Sequence, residues 1–68
     1  MAVSIFLNGV SRELRGSMTL SELVKVIGSN DETIAVGRNG EVVPRCDLAT
    51  VEVRDGDRIE IVHFTAGG

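Results

Sequence analysis

A single stretch of this sequence has helical periodicity, and this feature constrains the fold more than any other. Its apolar side chains recur at three- and four-residue spacings, which places them on one face of a helix: Leu20, Leu23, Val24 and Ile27. Thr19 and Glu22 have the spacing of a capping box at its start. Gly28 is suited to end it, because glycine readily adopts the left-handed conformation. The sequence therefore predicts one helix between Thr19 and Gly28.

The segments around this helix have strand character. Asn8-Gly9 and Asn39-Gly40 are dipeptides that favour two-residue hairpin turns, and Asp55-Gly56-Asp57 is a third turn signal. β-branched and apolar residues flank these turns. The predicted strands are residues 3–7, 10–14, 33–38, 41–43 and 58–64. Residues 45–50 are expected to be irregular or to form a short helical turn.

One helix among five strands predicts an α+β fold. Because a single helix offers one apolar stripe, it is expected to lie across one face of a mixed sheet, which is the β-grasp arrangement. The side chains expected in the core are Val3, Ile5, Leu7, Leu20, Leu23, Ile27, Ile34, Val36, Ile59 and Ile61. Residues 1–64 are expected to form this domain, and residues 65–68 a flexible, reactive C-terminal tail.

Composition narrows the functional classes. The 68 residues suffice for one small domain. The formal net charge of -3 argues against nucleic acid as the main partner, because phosphate binding requires a basic patch. The single cysteine, Cys46, cannot form an internal disulfide, which fits a reducing cytoplasm. No apolar stretch approaches the roughly 20 residues that span a bilayer, so no membrane association is expected.

The chain has few side chains suited to catalysis. It contains one histidine, one cysteine and no tyrosine or tryptophan. Its sequence has no nucleotide-binding loop, metal-ligand spacing or Ser-His-Asp set. We therefore predict no catalytic residues, no metal site and no cofactor bound by this chain. His63 and Cys46 are assigned no role, because an isolated strand histidine and a loop thiol are usually passive.

The C-terminal residues are the remaining candidate for chemistry. The last predicted strand runs directly into Thr65-Ala66-Gly67-Gly68, and the glycines have no side chain to hinder entry into a narrow channel. A terminal carboxylate becomes an acyl donor once ATP converts it to an acyl-adenylate. Because the sequence has no ATP-binding motif, a partner enzyme is expected to supply ATP and Mg²⁺. Taken alone, a Gly-Gly end also fits a frayed terminus.

Four features occur together here: the β-grasp order, Val43-Pro44-Arg45, Asp55-Gly56-Asp57 followed after one residue by IEIV, and Ala66-Gly67-Gly68. With them, the chain resembles the ThiS family, the ubiquitin-like sulfur carriers of thiamine biosynthesis, over essentially its whole length. It is the resemblance, and not periodicity, that implies a sheet with the first and last strands side by side at its centre.

The resemblance implies that the chain is a protein co-substrate and not an enzyme. In such carriers a ThiF-like enzyme adenylates the C-terminal carboxylate, which a sulfur-donating enzyme helps to convert to a thiocarboxylate. A ThiG-like thiazole synthase then takes the sulfur for the thiazole ring. By this resemblance Gly68 would carry the sulfur, while Gly67 and Ala66 would give access to partner active sites.

Three alternatives stay open at this point, one of which is a sulfur carrier for tRNA thiolation or for cysteine synthesis that uses the same chemistry. The small subunit of molybdopterin synthase has the same fold, tail and activation chemistry, but donates its sulfur to a pterin precursor. A non-covalent ubiquitin-like adaptor would instead bind its partner through the sheet alone. Deleting Gly67 and Gly68 discriminates between the classes, because an adaptor keeps its binding and a carrier loses its chemistry.

Three apolar side chains are candidates for partner binding. If Ile5, Ile59 and Ile61 face the helix, strand alternation places three others on the opposite face of the sheet: Phe6, Val62 and Phe64. Exposed apolar patches often mark interaction sites. The alternative is that a bulge or a register shift turns one of the phenylalanines into the core.

Overall fold

A computed structural model of the chain describes residues 2–29 and 32–64. These residues form the strands and helix β1 (Val3–Leu7), β2 (Val10–Leu14), α1 (Leu20–Val26), β3 (Ile34–Arg38), β4 (Glu41–Val43) and β5 (Arg58–His63), with a 3₁₀ turn at Arg45–Asp47. The predicted order of a hairpin, a helix, two strands and a last strand is confirmed. The short helical turn expected within residues 45–50 is also present.

The strands form one mixed sheet in the order β2-β1-β5-β3-β4. β1 and β5 are parallel, and the other neighbouring strands are antiparallel. The first and last strands therefore lie side by side at the centre, as the resemblance implied. Both hairpins turn at the predicted dipeptides, where Asn8 and Asn39 have φ angles of 50° and 51°. Asparagine tolerates this left-handed conformation better than most residues do.

The helix begins and ends at the predicted signals. The backbone N–H of Glu22 donates to Thr19 Oγ1 at 3.2 Å, and the backbone N–H of Thr19 donates to Glu22 Oε1 at 3.0 Å. This reciprocal pair satisfies two N–H groups that have no partner within the helix. At the other end Gly28 has a φ of +84°, and the N–H of Ser29 donates to the Val24 carbonyl at 3.0 Å.

The core lies between the helix and one face of the sheet, hereafter the helix face. Its buried apolar residues are Ile5, Leu7, Leu14, Leu20, Leu23, Val24, Ile34, Val36, Leu48, Val53, Ile59 and Ile61. Eight of the ten predicted core residues are among them. The other two, Val3 and Ile27, are only partly buried and pack against the core from its margin, so their predicted full burial was wrong.

The predicted core omitted four buried residues: Leu14, Val24, Leu48 and Val53. The last two lie in the connection between β4 and β5, which has no regular periodicity. Its backbone is nevertheless bonded to the start of the helix: the N–H of Ser21 donates to the Leu48 carbonyl at 2.8 Å, and that of Val53 to the Met18 carbonyl at 2.8 Å. These bonds hold the connection against the helix, so that Leu48 and Val53 complete the core and Val51 packs against it.

Candidate functional site

The face of the sheet opposite the helix, hereafter the open face, carries the predicted partner-binding side chains. Phe6, Val62 and Phe64 are 45%, 59% and 56% exposed, whereas Ile5 and Ile61 beside them in sequence are buried. Regular alternation along β1 and β5 produces this difference, because consecutive side chains of a strand point to opposite faces. The bulge considered as an alternative is absent from the described part of both strands.

The apolar surface of the open face is wider than the three predicted residues. Val42 on β4 is 81% exposed, and it lies opposite Gly37 on the neighbouring strand β3. Phe6 and Val62 line one shallow groove of about 680 Å³, whereas Phe64 and Val42 line another. Val42 was missed by the sequence analysis, although the two-residue turn at Asn39-Gly40 fixes the register that exposes it.

Two charged side chains lie among these apolar groups on β5. The guanidinium carbon of Arg58 is 5.8 Å from the centroid of the Phe6 ring, a cation–π geometry that covers part of the ring. Glu60 lies opposite Gly37, and it lines both the groove of Phe6 and Val62 and a third groove, which Val62 shares with Val42. The open face therefore offers a partner an apolar surface in which a cation, Arg58, and a carboxylate, Glu60, lie among the apolar side chains of β1 and β5.

Asp57 anchors the turn that starts β5. Its side chain is buried, and its Oδ2 accepts hydrogen bonds from Arg38 Nε and the Arg54 N–H, each at 2.8 Å. Asn39 Nδ2 donates to Oδ1 at 3.1 Å. Burial by itself raises the pKa of Asp57, but these hydrogen bonds and the charge of Arg38 outweigh it and lower the pKa below its usual value. The sequence indicated a turn here, but not the ion pair.

Asn8 connects the β1–β2 turn to the far end of β5. Its Oδ1 accepts from the Ile61 N–H at 2.8 Å, and its Nδ2 donates to the Ile61 carbonyl at 3.2 Å. A side-chain amide thus replaces a peptide group beside β5, just beyond the end of β1. Sequence analysis treated Asn8 as a turn residue alone, because this contact joins positions that are 53 residues apart.

His63 and Cys46, to which no role was assigned, are both exposed. Ser29 Oγ and His63 Nε2 are 2.6 Å apart, so a hydrogen bond joins the end of β5 to the segment after the helix. Cys46 lies in the 3₁₀ turn, with its Sγ 3.7 Å from Asp47 Oδ1.

The predicted reactive residues Ala66, Gly67 and Gly68 lie outside the described residues. The last described backbone contact before them is the hydrogen bond from the Phe64 N–H to the Thr33 carbonyl, at 2.9 Å. Over residues 2–29 and 32–64, no three metal-ligating side chains come together. The same part of the chain contains no helix long and apolar enough to cross a membrane.

Comparison with known proteins identifies the family. The model of the ThiS family matches residues 5–68. The chain belongs to the ThiS family. It is 34% identical over 64 residues to the sulfur carrier protein ThiS of Thermus thermophilus, an alignment that covers 94% of this chain and 98% of that protein. The family resemblance stated from the sequence is therefore confirmed.

A solved structure has the same fold. The crystal structure of the thiamine biosynthesis protein ThiS from Geobacter metallireducens superimposes with a TM-score of 0.82 and 30% identity, covering 97% of this chain and 100% of that one. The predicted β-grasp fold, with one helix on a mixed sheet, is confirmed.

A second kind of relative is much longer. The chain is 41% identical over 66 residues to a thiazole synthase of Paramagnetospirillum magneticum, an alignment that covers 97% of this chain and 20% of that protein. This ThiS-family chain therefore spans about a fifth of the length of that relative.

Proposed function

We propose that this chain is a sulfur carrier of thiamine biosynthesis that carries sulfur as a thiocarboxylate on Gly68. The observation that supports this most is the family match, which extends from residue 5 to residue 68 and so includes the Gly-Gly pair. The name of the Thermus thermophilus relative, a sulfur carrier protein matched over nearly its whole length, points the same way. The chain acts in this proposal as a co-substrate, and its partners supply the catalysis.

The proposed chemistry has two steps on the Gly68 carboxylate. An oxygen of the carboxylate attacks the α-phosphate of ATP on a ThiF-like enzyme, and pyrophosphate leaves to give the acyl-adenylate. A sulfide-level nucleophile (HS⁻), delivered by a sulfur-donating enzyme, then attacks the acyl carbon; AMP leaves, the S–H proton is lost, and the thiocarboxylate results. ATP and Mg²⁺ belong to the activating enzyme, where the metal stabilises the phosphate charge. Gly67 and Ala66 have little side-chain bulk and would admit the terminus to both active sites.

We propose a ThiG-like thiazole synthase as the enzyme that takes the sulfur. Proteins named thiazole synthase contain a segment similar to this chain, joined covalently to a much longer polypeptide. Such a connection keeps two parts at high effective concentration, which is useful when they act together. This favours thiazole over a pterin precursor as the acceptor. A cytoplasmic location is part of the same proposal.

The open face is the proposed docking surface for these enzymes. Phe6, Val62 and Phe64 are large apolar side chains that the fold leaves about half exposed. Aromatic side chains of this kind are enriched at the energetically important centres of interfaces. They lie on the central strands β1 and β5, or directly after β5, and β5 leads into the residues proposed to react.

Intact-protein mass spectrometry tests the carrier chemistry. The chain is incubated with its activating enzyme, ATP, Mg²⁺ and a sulfur donor, and is compared with a chain lacking Gly68. Exchange of one oxygen for sulfur, localised to Gly68 and absent from the shortened chain, is the expected result. The same measurement on chain from its native source establishes whether Gly68 is the last residue. An unmodified terminus in the presence of active enzyme would contradict the proposal and favour a non-covalent adaptor.

A further inference from the structure

The central strand β5 extends beyond its parallel neighbour. The pairing of β1 with β5 ends at Leu7 and Ile59, because the chain turns at Asn8-Gly9 into β2. β5 continues to His63, and on its other side β3 accompanies it to that residue. Within the described parts of the chain, no strand lies beside the last four residues of β5 on the β1 side.

Beside the last four residues of β5, the β1 side has no described strand, and this space is hereafter the gap. Hydrogen bonds define which backbone groups of β5 face it. The N–H of Phe6 donates to the Asp57 carbonyl and that of Asn8 to the Ile59 carbonyl, each at 2.9 Å. The backbone groups of alternate residues therefore point toward β1, whereas those of the residues between them point toward β3. Continuing the alternation, the N–H and carbonyl of Ile61 and then of His63 face the side on which β1 has ended.

Asn8 satisfies the first of these two positions but not the second. Its side chain pairs with both the N–H and the carbonyl of Ile61. The backbone N–H and carbonyl of His63 come next, and residues 2–29 and 32–64 provide no hydrogen-bond partner for them. Unpaired groups on a strand edge are a template for pairing with another chain.

The neighbouring contacts hold this short edge in a fixed conformation. His63 lies opposite Ile34 in the register with β3, and its Nε2 is 2.6 Å from Ser29 Oγ. The N–H of Phe64 donates to the Thr33 carbonyl at 2.9 Å. The strand is therefore already extended at the position where a partner strand would be added, so that less conformational entropy is lost on binding.

We propose that an extended segment of the thiazole synthase adds to β5 at this edge, making main-chain hydrogen bonds to His63. The identity of the partner rests on the proposed function, which places Gly68 in that enzyme. The edge lies five residues before Gly68, so a strand added there would guide the terminus into the active site. Phe6 and Val62 line the adjacent groove and offer apolar contacts to the side chains of the added segment.

Two substitutions at one position test the main-chain contact. His63→Pro removes the N–H that faces the gap, whereas His63→Ala removes the contact with Ser29 and keeps the N–H. Proline is tolerated at strand positions whose N–H faces solvent, so we expect the fold to persist. Affinity for the thiazole synthase of the same organism should fall about tenfold for His63→Pro, the order expected for loss of a main-chain hydrogen bond, and should be nearly unchanged for His63→Ala.

Equal affinities of the two variants would overturn the proposal, as would a loss confined to the adenylating enzyme. Because the binding is measured on the chain without thiocarboxylate, it is informative even where the carrier chemistry fails. Thermal unfolding of both variants checks the fold.

Amide hydrogen exchange on the unsubstituted chain provides a second test, which is independent of any effect of proline on folding. In the free chain the His63 amide should exchange faster than the amides of Val62 and Phe64, which face β3. Binding of the synthase should slow exchange at His63 by tenfold or more. Exchange at His63 that is as fast in the complex as in the free chain would overturn the proposal.

Discussion

The two faces of the sheet are built from the same strands and have opposite environments. Ile61 and Val62 are neighbours on β5 and both are β-branched, yet the first is 5% exposed and the second 59%. The helix and the connection containing Leu48 and Val53 cover the helix face, whereas no described element covers the open face.

The difference in burial between the two faces assigns folding stability mainly to the helix face and partner binding to the open face. Burial of apolar surface on the helix face contributes to the free energy of unfolding at roughly 25 cal/mol per Å². Apolar side chains on the open face stay mostly in water in the free chain. Most of their surface would be buried only when a partner covers them. We therefore expect substitutions on the helix face to change folding, and those on the open face to change binding.

The largest expected effect comes from truncating one member of the neighbouring pair at a time. Ile61→Ala leaves a cavity in the core and should lower the free energy of unfolding by about 2–5 kcal/mol. Val62→Ala removes a side chain that is already mostly in water, and should change it by less than about 0.5 kcal/mol. Urea denaturation of both variants measures the difference. Similar losses for the two would show that the open face is covered in the free chain.

Substitution of Asp57 tests whether an ion pair, as well as apolar burial, stabilises the turn that starts β5. At pH 7, Asp57→Asn should lower the free energy of unfolding by about 2 kcal/mol, because Arg38 loses its charged partner. The folded-state pKa of Asp57 is lowered, so the unfolded state binds more protons once the pH falls to the ordinary aspartate value near 3.8.

The stabilisation by Asp57 is therefore fully present above that pH, and is lost as the pH falls through the lower folded-state pKa. Urea denaturation from pH 7 to pH 2 should show the difference between the unsubstituted chain and Asp57→Asn shrinking only below about pH 4. A difference that stays constant to the lowest pH would contradict this account.

The sequence predicted the two faces well where the pattern was local. The strand alternation around Ile61 and the capping box at Thr19 depend on residues a few positions apart, and both predictions were confirmed. Leu48 was missed because its burial depends on how an aperiodic connection returns to the helix. Asn8 pairs with a residue that is distant in sequence, so its role beside β5 depends on the assembled sheet. The reactive terminus was proposed from the Gly-Gly end together with the family resemblance, and it stays a prediction.

Matched charge substitutions sharpen the comparison for binding. Val62 and Val26 are 59% and 64% exposed, but they lie on the open face and on the helix, respectively. Val62→Lys should weaken binding of the thiazole synthase about tenfold, because a lysine would be placed in the proposed apolar interface. Val26→Lys makes the same change in net charge away from that face, and should leave the affinity unchanged. Calorimetric titration measures both, and equal effects would contradict docking on the open face.

The smallest expected effect concerns the helix that makes one face of the sheet buried. Thr19→Ala removes the hydroxyl that accepts the Glu22 N–H, and should lower the free energy of unfolding by about 1 kcal/mol. Thr19→Ser keeps the hydroxyl and should retain most of the stability. Neither change touches the open face, so the affinity for the synthase should stay the same in both variants at temperatures where they are folded.

Because α1 has only 7 residues, packing of Leu20, Leu23 and Val24 and not helix propensity must supply most of its stability. A loss from Thr19→Ala as large as that from Ile61→Ala would contradict this, and would make the cap, instead of the core, the main determinant of the buried face.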